Sequence, residues 1–264
     1  MHPILLQTNF FTINTLWIFI IAALLTGTSL FIKEAIKNSL KIQFITQHAW
    51  QLIIWSIIGA RIANIITNYK SYFYSFSGEA LIKILYFWDK GFSFWGALIG
   101  FTVYLHYICK KNDQDFLSWL DALIPAGIFA LSITHIGNFF EGSSYGNETS
   151  LPWGVNFESP AIRYTVPIHP TQIYAFLYTL ALGFILIYLE KRPKIQSLKK
   201  SGFIALAGIA SYNGLRFLEE FFRGDDTFLL FDIRVSQIIV GIIAISASII
   251  LYLRYNKPKR KIKK

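Results

Sequence analysis

Stretches of about twenty mostly apolar residues recur along this chain near 14–32, 48–66, 93–109, 118–136, 170–189, 202–222 and 235–253. Inside a bilayer no water is at hand to satisfy backbone N–H and C=O groups. A segment of that length must therefore close its hydrogen bonds on itself, as a helix. The expectation is an all-α membrane protein of seven transmembrane helices. Composition supports this class: 54% of the 264 residues are hydrophobic and only 15% are charged, whereas soluble domains carry roughly a quarter charged. No separate soluble domain is legible, so residues 1–264 read as one polytopic domain with a basic tail at 254–264. No small-residue cleavage site follows the first stretch, and no cleavable signal peptide is expected.

Lysine and arginine set the expected orientation. Lys33, Lys37, Lys41, Lys110, Lys111, the five cations between Lys191 and Lys200 and the seven from Arg254 to Lys264 fall in one set of alternate loops. The other set holds only Lys70, Lys83, Lys90, Arg163, Arg223 and Arg234. This bias puts the C-terminus in the cytoplasm and the N-terminus outside. The net charge of +10 is thus matched to anionic lipid headgroups rather than to nucleic acid. The one cysteine, Cys109, excludes a disulfide framework and a thiolate metal cluster, and reads as a packing residue.

The sixth stretch breaks the apolar rule. In Ser211–Arg223, at about 100° per residue, Tyr212, Arg216, Glu220 and Arg223 fall on one stripe. Glu219 lies off it and reads as interfacial. A charge at bilayer depth is costly unless paired, hydrated or facing a cavity, so the stripe is a site by default. Other polar residues gather at the same expected outer level. Trp95 opens the third span, His135, Gly137 and Asn138 close the fourth, and His169-Pro170 opens the fifth. The outer segments 67–92 and 137–169 are long enough to cover them, and the part from Tyr72 to Trp88 reads as a surface helix or loop. The inner ends, by contrast, show solvated lysines and arginines.

Each motif has a plainer reading beside its functional one. His135 and Asn138, spaced i and i+3, share a face if the helix continues that far. Three glycines, Gly137, Gly142 and Gly146, fall within ten residues here, which marks either an ordinary helix end or a backbone that approaches a ligand. His169 precedes Pro170 at a helix start, where free N–H groups attract phosphate. It serves either as a proton carrier or as a packing histidine. Arg61, deep in the second span, is either a structural arginine on backbone carbonyls or an anion anchor. Asp121 reads as a helix-start charge. HExxH, Asp-rich and Gly-x-Ser-x-Gly patterns are missing from the sequence, so metal and serine hydrolysis are poorly supported and no metal is expected. An arginine opposite a carboxylate, with histidine, tyrosine and asparagine nearby, suits recognition of a phospholipid headgroup and displacement at its phosphate ester.

In this light the chain resembles bacterial phosphatidylglycerol–prolipoprotein diacylglyceryl transferases. The matching pieces are GARIANII at 59–66, WDKGFSFWGALIG at 88–100, HIGNFFEGSSYG at 135–146, LPWGVNF at 151–157, HPTQIY at 169–174 and YNGLRFLEEFFR at 212–223. The resemblance implies an inner-membrane, multi-pass enzyme without cofactor. It would move a diacylglyceryl unit from phosphatidylglycerol to the lipobox cysteine thiol of a prolipoprotein signal peptide, forming a thioether and releasing glycerol phosphate. Mapped by motif, Tyr212, Arg216 and Glu220 belong to the headgroup site, and Asn138 and Gly146 to the loop that activity needs. Arg216, His135 and Arg61 are the candidate phosphate ligands, and His135 and His169 the candidate bases.

The chain departs from the family pattern at four places: Trp95 stands where histidine is usual, His135 where arginine is usual, Ser143 where glutamate is usual, with Glu141 two residues away, and Ile18 where the first span usually has tyrosine. A histidine replaces an arginine's bidentate fork only when protonated. Two alternatives follow: a transferase with the same donor and another acceptor, or a lipid-binding relative without chemistry.

Overall fold

A computed structural model of the chain describes residues 3–8, 12–69, 72, 91–157, 165–192 and 201–255. Each apolar window carries a helix: α1 (Thr15–Lys37), then a short α2 (Ile42–Gln47), α3 (Ala49–Thr67), α4 (Phe94–Lys111), α5 (Phe116–Glu141), α6 (Thr171–Glu190), α7 (Phe203–Glu219) and α8 (Val235–Tyr255). Five of them, α1, α3, α5, α6 and α8, are long and apolar enough to cross a membrane. The chain is a mostly helical, multi-pass membrane protein. The remaining two fall short for a physical reason: α4 has 18 residues and ends in Lys110-Lys111, and α7 has 17. At 1.5 Å per residue α7 spans about 25 Å, less than a hydrocarbon core of about 30 Å, whereas α4 is long enough but made less apolar by His106 and its two terminal lysines. The expected surface segment between Tyr72 and Trp88, Arg163, the lysines at 70, 83, 90, 194, 199 and 200, and the basic tail from 256 lie outside the described residues.

Two boundaries matter for function. Helix α5 runs on to Glu141, so His135 and Asn138 do sit on one continuous helix. Helix α7 stops at Glu219, and tight bonds from Phe221 N to Leu218 O and from Phe222 N to Glu219 O close its end. Arg223 is therefore beyond the helix and not on its stripe.

The described residues also hold two small antiparallel hairpins that the all-α expectation lacks. They are β1 (Ile4–Gln7) with β2 (Thr12–Asn14), and β3 (Leu229–Leu230) with β4 (Ile233–Arg234). The second turns through Phe231 and Asp232 at φ of 51° and 59°, the left-handed pair of a two-residue hairpin turn. Phe228 and Phe231 are 84% and 89% exposed.

The chain divides into two compact units, residues 39–116 and the remainder. In the smaller, α3 and α4 meet through glycines. A Cβ on Gly59 would strike the Gly96 carbonyl, and one on Gly100 the Trp55 carbonyl. Small residues of this kind let membrane helices approach closely, where packing and not water exclusion drives association. In the larger unit, Ile128, Leu182, Leu186 and Ile204 form a core against which Tyr212 and Leu215 pack. Asp121 of α5 accepts hydrogen bonds from the backbone N–H of Gly202 (2.6 Å) and Ala205 (2.8 Å). It is a helix-start charge, but the start it caps is that of α7, whose first N–H groups have no intrahelical partner.

One end of this unit contradicts the expectation of solvated lysines and arginines only. Lys37 bridges Glu34 (3.0 Å) and Glu190 (2.6 Å), and Asn38 donates to Glu190 (2.9 Å). Both carboxylates are buried. They come from the C-terminal ends of α1 and α6, far apart in sequence.

Candidate active site

The functional cluster forms where α7 ends. Arg216 projects from its last turn and pairs through Nη1 with Glu219, and through Nη2 with Glu220 at 2.7 Å. The latter contact is an ion pair whose angle falls short of a hydrogen bond, since Glu220 Oε1 has no hydrogen-bond partner. Glu220, 2% exposed, also accepts from Arg234 Nε of β4 at 2.6 Å. Arg234 reaches on to Asp225 (2.9 Å), and Asp225 pairs with Arg223. Three arginines thus face three carboxylates, and the cluster has no net charge. Such pairing is the condition for keeping ions away from water. Burial works to raise the Asp225 pKa, but hydrogen bonds and charge from Arg223 and Arg234 outweigh it and hold this carboxyl below its ordinary value.

Glu219 is the chief correction. The helical stripe left it at the interface, whereas the structure buries it to 5% exposure. Its Oε2 accepts the Tyr178 hydroxyl of α6 at 2.7 Å, and Arg223 Nη1 lies 3.8 Å from its other oxygen. The wheel misplaced Glu219 because the partners that decide its direction come from elsewhere. The phenol is 41 residues back, and no local spacing points to it. Tyr178, Asp225 and Arg234 were missed for the same reason. Tyr212, which the stripe did include, faces Tyr178 with ring centroids 6.4 Å apart.

A clasp of irregular backbone secures the rim. Gly146 bridges Arg223 in antiparallel fashion, and Gly146 N donates to the His169 carbonyl at 3.1 Å. Asn147 N reaches the Phe222 carbonyl at 2.8 Å. A Cβ on Gly146 would collide with His169 O and lie 2.9 Å from Phe222 O. The close approach expected here is therefore made to the protein's own backbone. The start of α6 holds the same loop: the Thr171 hydroxyl donates to Ser144 O (2.6 Å), and the Gln172 amide to Ser143 O (2.8 Å). Both side chains are buried, which gives the HPTQ stretch a positioning role that its sequence alone did not show. Pro170 is the N-cap of α6 and not its first helical residue.

The two histidines separate clearly. His169 Nδ1 is 3.2 Å from the Tyr174 hydroxyl, which also accepts from Trp153 Nε1 at 2.8 Å. A hydroxyl has one proton and two lone pairs, so Tyr174 meets the indole and the imidazole at once. The ring also packs on Phe222. Packing contacts thus meet His169 on the sides of Tyr174 and Phe222. His135, on α5, is within electrostatic reach of Arg216 and Arg223, and its buried Nε2 has no hydrogen-bond partner among the described residues. Asn138 follows one turn on, with its carbonyl taking Gly142 N and Ser143 N and its side-chain amide unengaged among the described residues.

Arg61 and Trp95 belong to the other unit. Arg61 is buried, donates to the Gly91 carbonyl (3.3 Å) and lies 5.4 Å from the Tyr72 ring centroid and 5.9 Å from that of Phe92. These contacts match the structural reading of this residue. Trp95 is partly exposed at the start of α4, with its ring beside Phe94. Among the described residues no group of three His, Cys, Asp or Glu is placed to hold a metal ion.

Known proteins resemble this chain over most of its length. A family model described as prolipoprotein diacylglyceryl transferase matches residues 3–254. A phosphatidylglycerol–prolipoprotein diacylglyceryl transferase of Finegoldia magna is 30% identical over 254 residues, 94% of each chain. The protein of that name from Clostridium tetani is 30% identical over 226 residues, covering 85% of this chain and 86% of its own. One from Prochlorococcus marinus is 31% identical over 234 residues, covering 83% and 78%.

Proposed function

Since the chain belongs to the prolipoprotein diacylglyceryl transferase family, we propose that it transfers a diacylglyceryl group from phosphatidylglycerol to the lipobox cysteine of a prolipoprotein signal peptide. It acts as a single polytopic domain of seven spans in the bacterial inner membrane, with the C-terminus cytoplasmic and the arginine cluster toward the outer leaflet. The thiol sulfur attacks the glycerol carbon that bears the phosphate. A C–S bond forms, the C–O bond breaks, and glycerol phosphate leaves with the electron pair. The thiol proton passes to a base.

The observation that carries this reading is Arg216 beside Glu220. A guanidinium has five N–H donors, and the two carboxylates engage two of its three nitrogens. The remaining donors meet the phosphate and stabilise the charge that grows on it, while Glu220 fixes the orientation of the fork. Asn138 and Tyr212 add neutral donors to the leaving phosphate. His135 takes the thiol proton, because its Nε2 is free of partners, whereas Nδ1 of His169 is already engaged. Gly146 and the α6 start hold the rim, and the reaction needs no cofactor.

The test is complementation in a bacterium depleted of its own transferase, with lipidated lipoproteins as the readout. Rescue by the intact chain and loss of rescue with Arg216→Lys are expected. Trp95, His135 and Ser143 favour a second reading, the same donor with another acceptor. Labelled phosphatidylglycerol consumed without rescue would select it, and lipid bound without any turnover would mark a non-catalytic relative.

A further inference from the structure

Glu219 is a second carboxylate on an arginine that already has one, and the two are held differently. Glu220 is fully enclosed between two guanidinia, those of Arg216 and Arg234. Glu219 shares Arg216 through one oxygen, and its other oxygen is held by a neutral phenol on a different helix. A further cation, Arg223 Nη1, is 3.8 Å from the oxygen that now faces Arg216. Releasing Glu220 from Arg216 would uncover a wholly buried charge. Releasing Glu219 exchanges one guanidinium for another while Tyr178 keeps its grip.

Charge balance favours such an exchange. Three arginines against three carboxylates leave spare N–H donors on Arg216 but no cation unmatched, so a phosphate that meets those donors adds an uncompensated negative charge until a carboxylate moves off. The donor is a phosphodiester with one negative charge. The product is a phosphomonoester, with a charge between roughly −1.5 and −2 near neutral pH, and it would grip a bare guanidinium harder than the donor does. We infer that Glu219 is an exchangeable carboxylate on Arg216. It occupies the fork when no phosphate is bound, moves toward Arg223 when the donor arrives, and returns to displace glycerol phosphate. Glu219 is thus a positioning residue that limits product retention. This rests on Arg216 being the phosphate ligand.

The experiment uses the purified full chain in phosphatidylglycerol mixed micelles with a lipobox peptide. It reads the donor KM, kcat and the inhibition constant of glycerol 1-phosphate. With Glu219→Gln the inhibition constant is expected to fall about tenfold, on the order of 1.4 kcal/mol. The donor KM should fall about threefold, and kcat should fall as product release slows. Glu219→Asp retains the charge but cannot reach Arg216 and Tyr178 together, so it should shift the constants the same way and serves if the glutamine variant does not fold. An inhibition constant unchanged or raised in a folded Glu219 variant overturns the exchange. Arg216→Lys separates the two layers. If it weakens glycerol phosphate while folded Glu219 variants leave it alone, only the exchange is wrong. If it leaves glycerol phosphate binding unchanged, the phosphate-ligand reading falls as well.

Discussion

Among the described residues of the larger unit, two ionic clusters are built on different principles. At Lys37 a single ammonium, about a third exposed, sits between Glu34 and Glu190. An ammonium is a compact point charge, and this one ties the ends of α1 and α6 together with one charge against two carboxylates. At Arg216 three planar guanidinia share three carboxylates, and donors remain after every ion pair is counted. The first arrangement is closed and can only hold. On the proposed reading the second trades partners, because a bidentate fork accepts a phosphate where it accepted a carboxylate. A buried charge is therefore a site when its partners are exchangeable, and a fastening when they are not.

That contrast can be broken most forcefully by Arg216→Lys. A point charge cannot reproduce the fork, and kcat/KM should fall about 100-fold, some 2.7 kcal/mol, with little change in unfolding temperature. Near-normal turnover would erase the distinction. The mirror experiment is Lys37→Met. It leaves two buried carboxylates without their cation, and a broken buried pair costs about 3–5 kcal/mol, toward the low end here because the ammonium is partly solvated. Thermal unfolding should shift markedly downward while the turnover of the folded fraction stays within about twofold.

A smaller effect tests the rim of the exchanging cluster. Gly146→Ala pushes a methyl against the backbone of His169 and Phe222. Overpacking of this kind costs about 1–3 kcal/mol, and activity should fall by more than stability does if the clasp positions Arg223. The subtlest test is Asp225→Asn followed across pH. The Asp225 pKa is lowered in the folded state, so the group contributes stability above its unfolded value near 3.8 and loses it as pH falls through the lower folded value. The asparagine variant should unfold at lower temperature at neutral pH, and the gap should close in acid. A gap that persists in acid would show that packing, not charge, holds Asp225.

How much of this could be read from the chain follows the range of each signal. The apolar windows were legible because the length needed to cross hydrocarbon is a local property. Arg216 and Glu220 were legible because i and i+4 positions adjoin on any helix. Glu219 was not, since its burial depends on Tyr178 and Arg223, and the helix on which the wheel was drawn ends at that residue. Arg223 failed in the opposite sense: the stripe claimed it, and the chain had already left the helix. The Glu34–Glu190 meeting has no sequence signature, because the two residues are 156 positions apart and each looks like an ordinary charge near a span end. The β3–β4 hairpin was hidden as well. Phe231 and Asp232 occupy left-handed positions that usually advertise themselves through glycine or asparagine.

Asp121 has one more consequence. By gripping the first N–H groups of α7 it stops that helix from sliding along its own axis, and Arg216 lies eleven residues beyond Ala205, about 16 Å of rise. An aspartate at the start of α7 thus works as a depth gauge for the guanidinium at its end. A push along the axis of α7 would have to break those two bonds before it moved the cation.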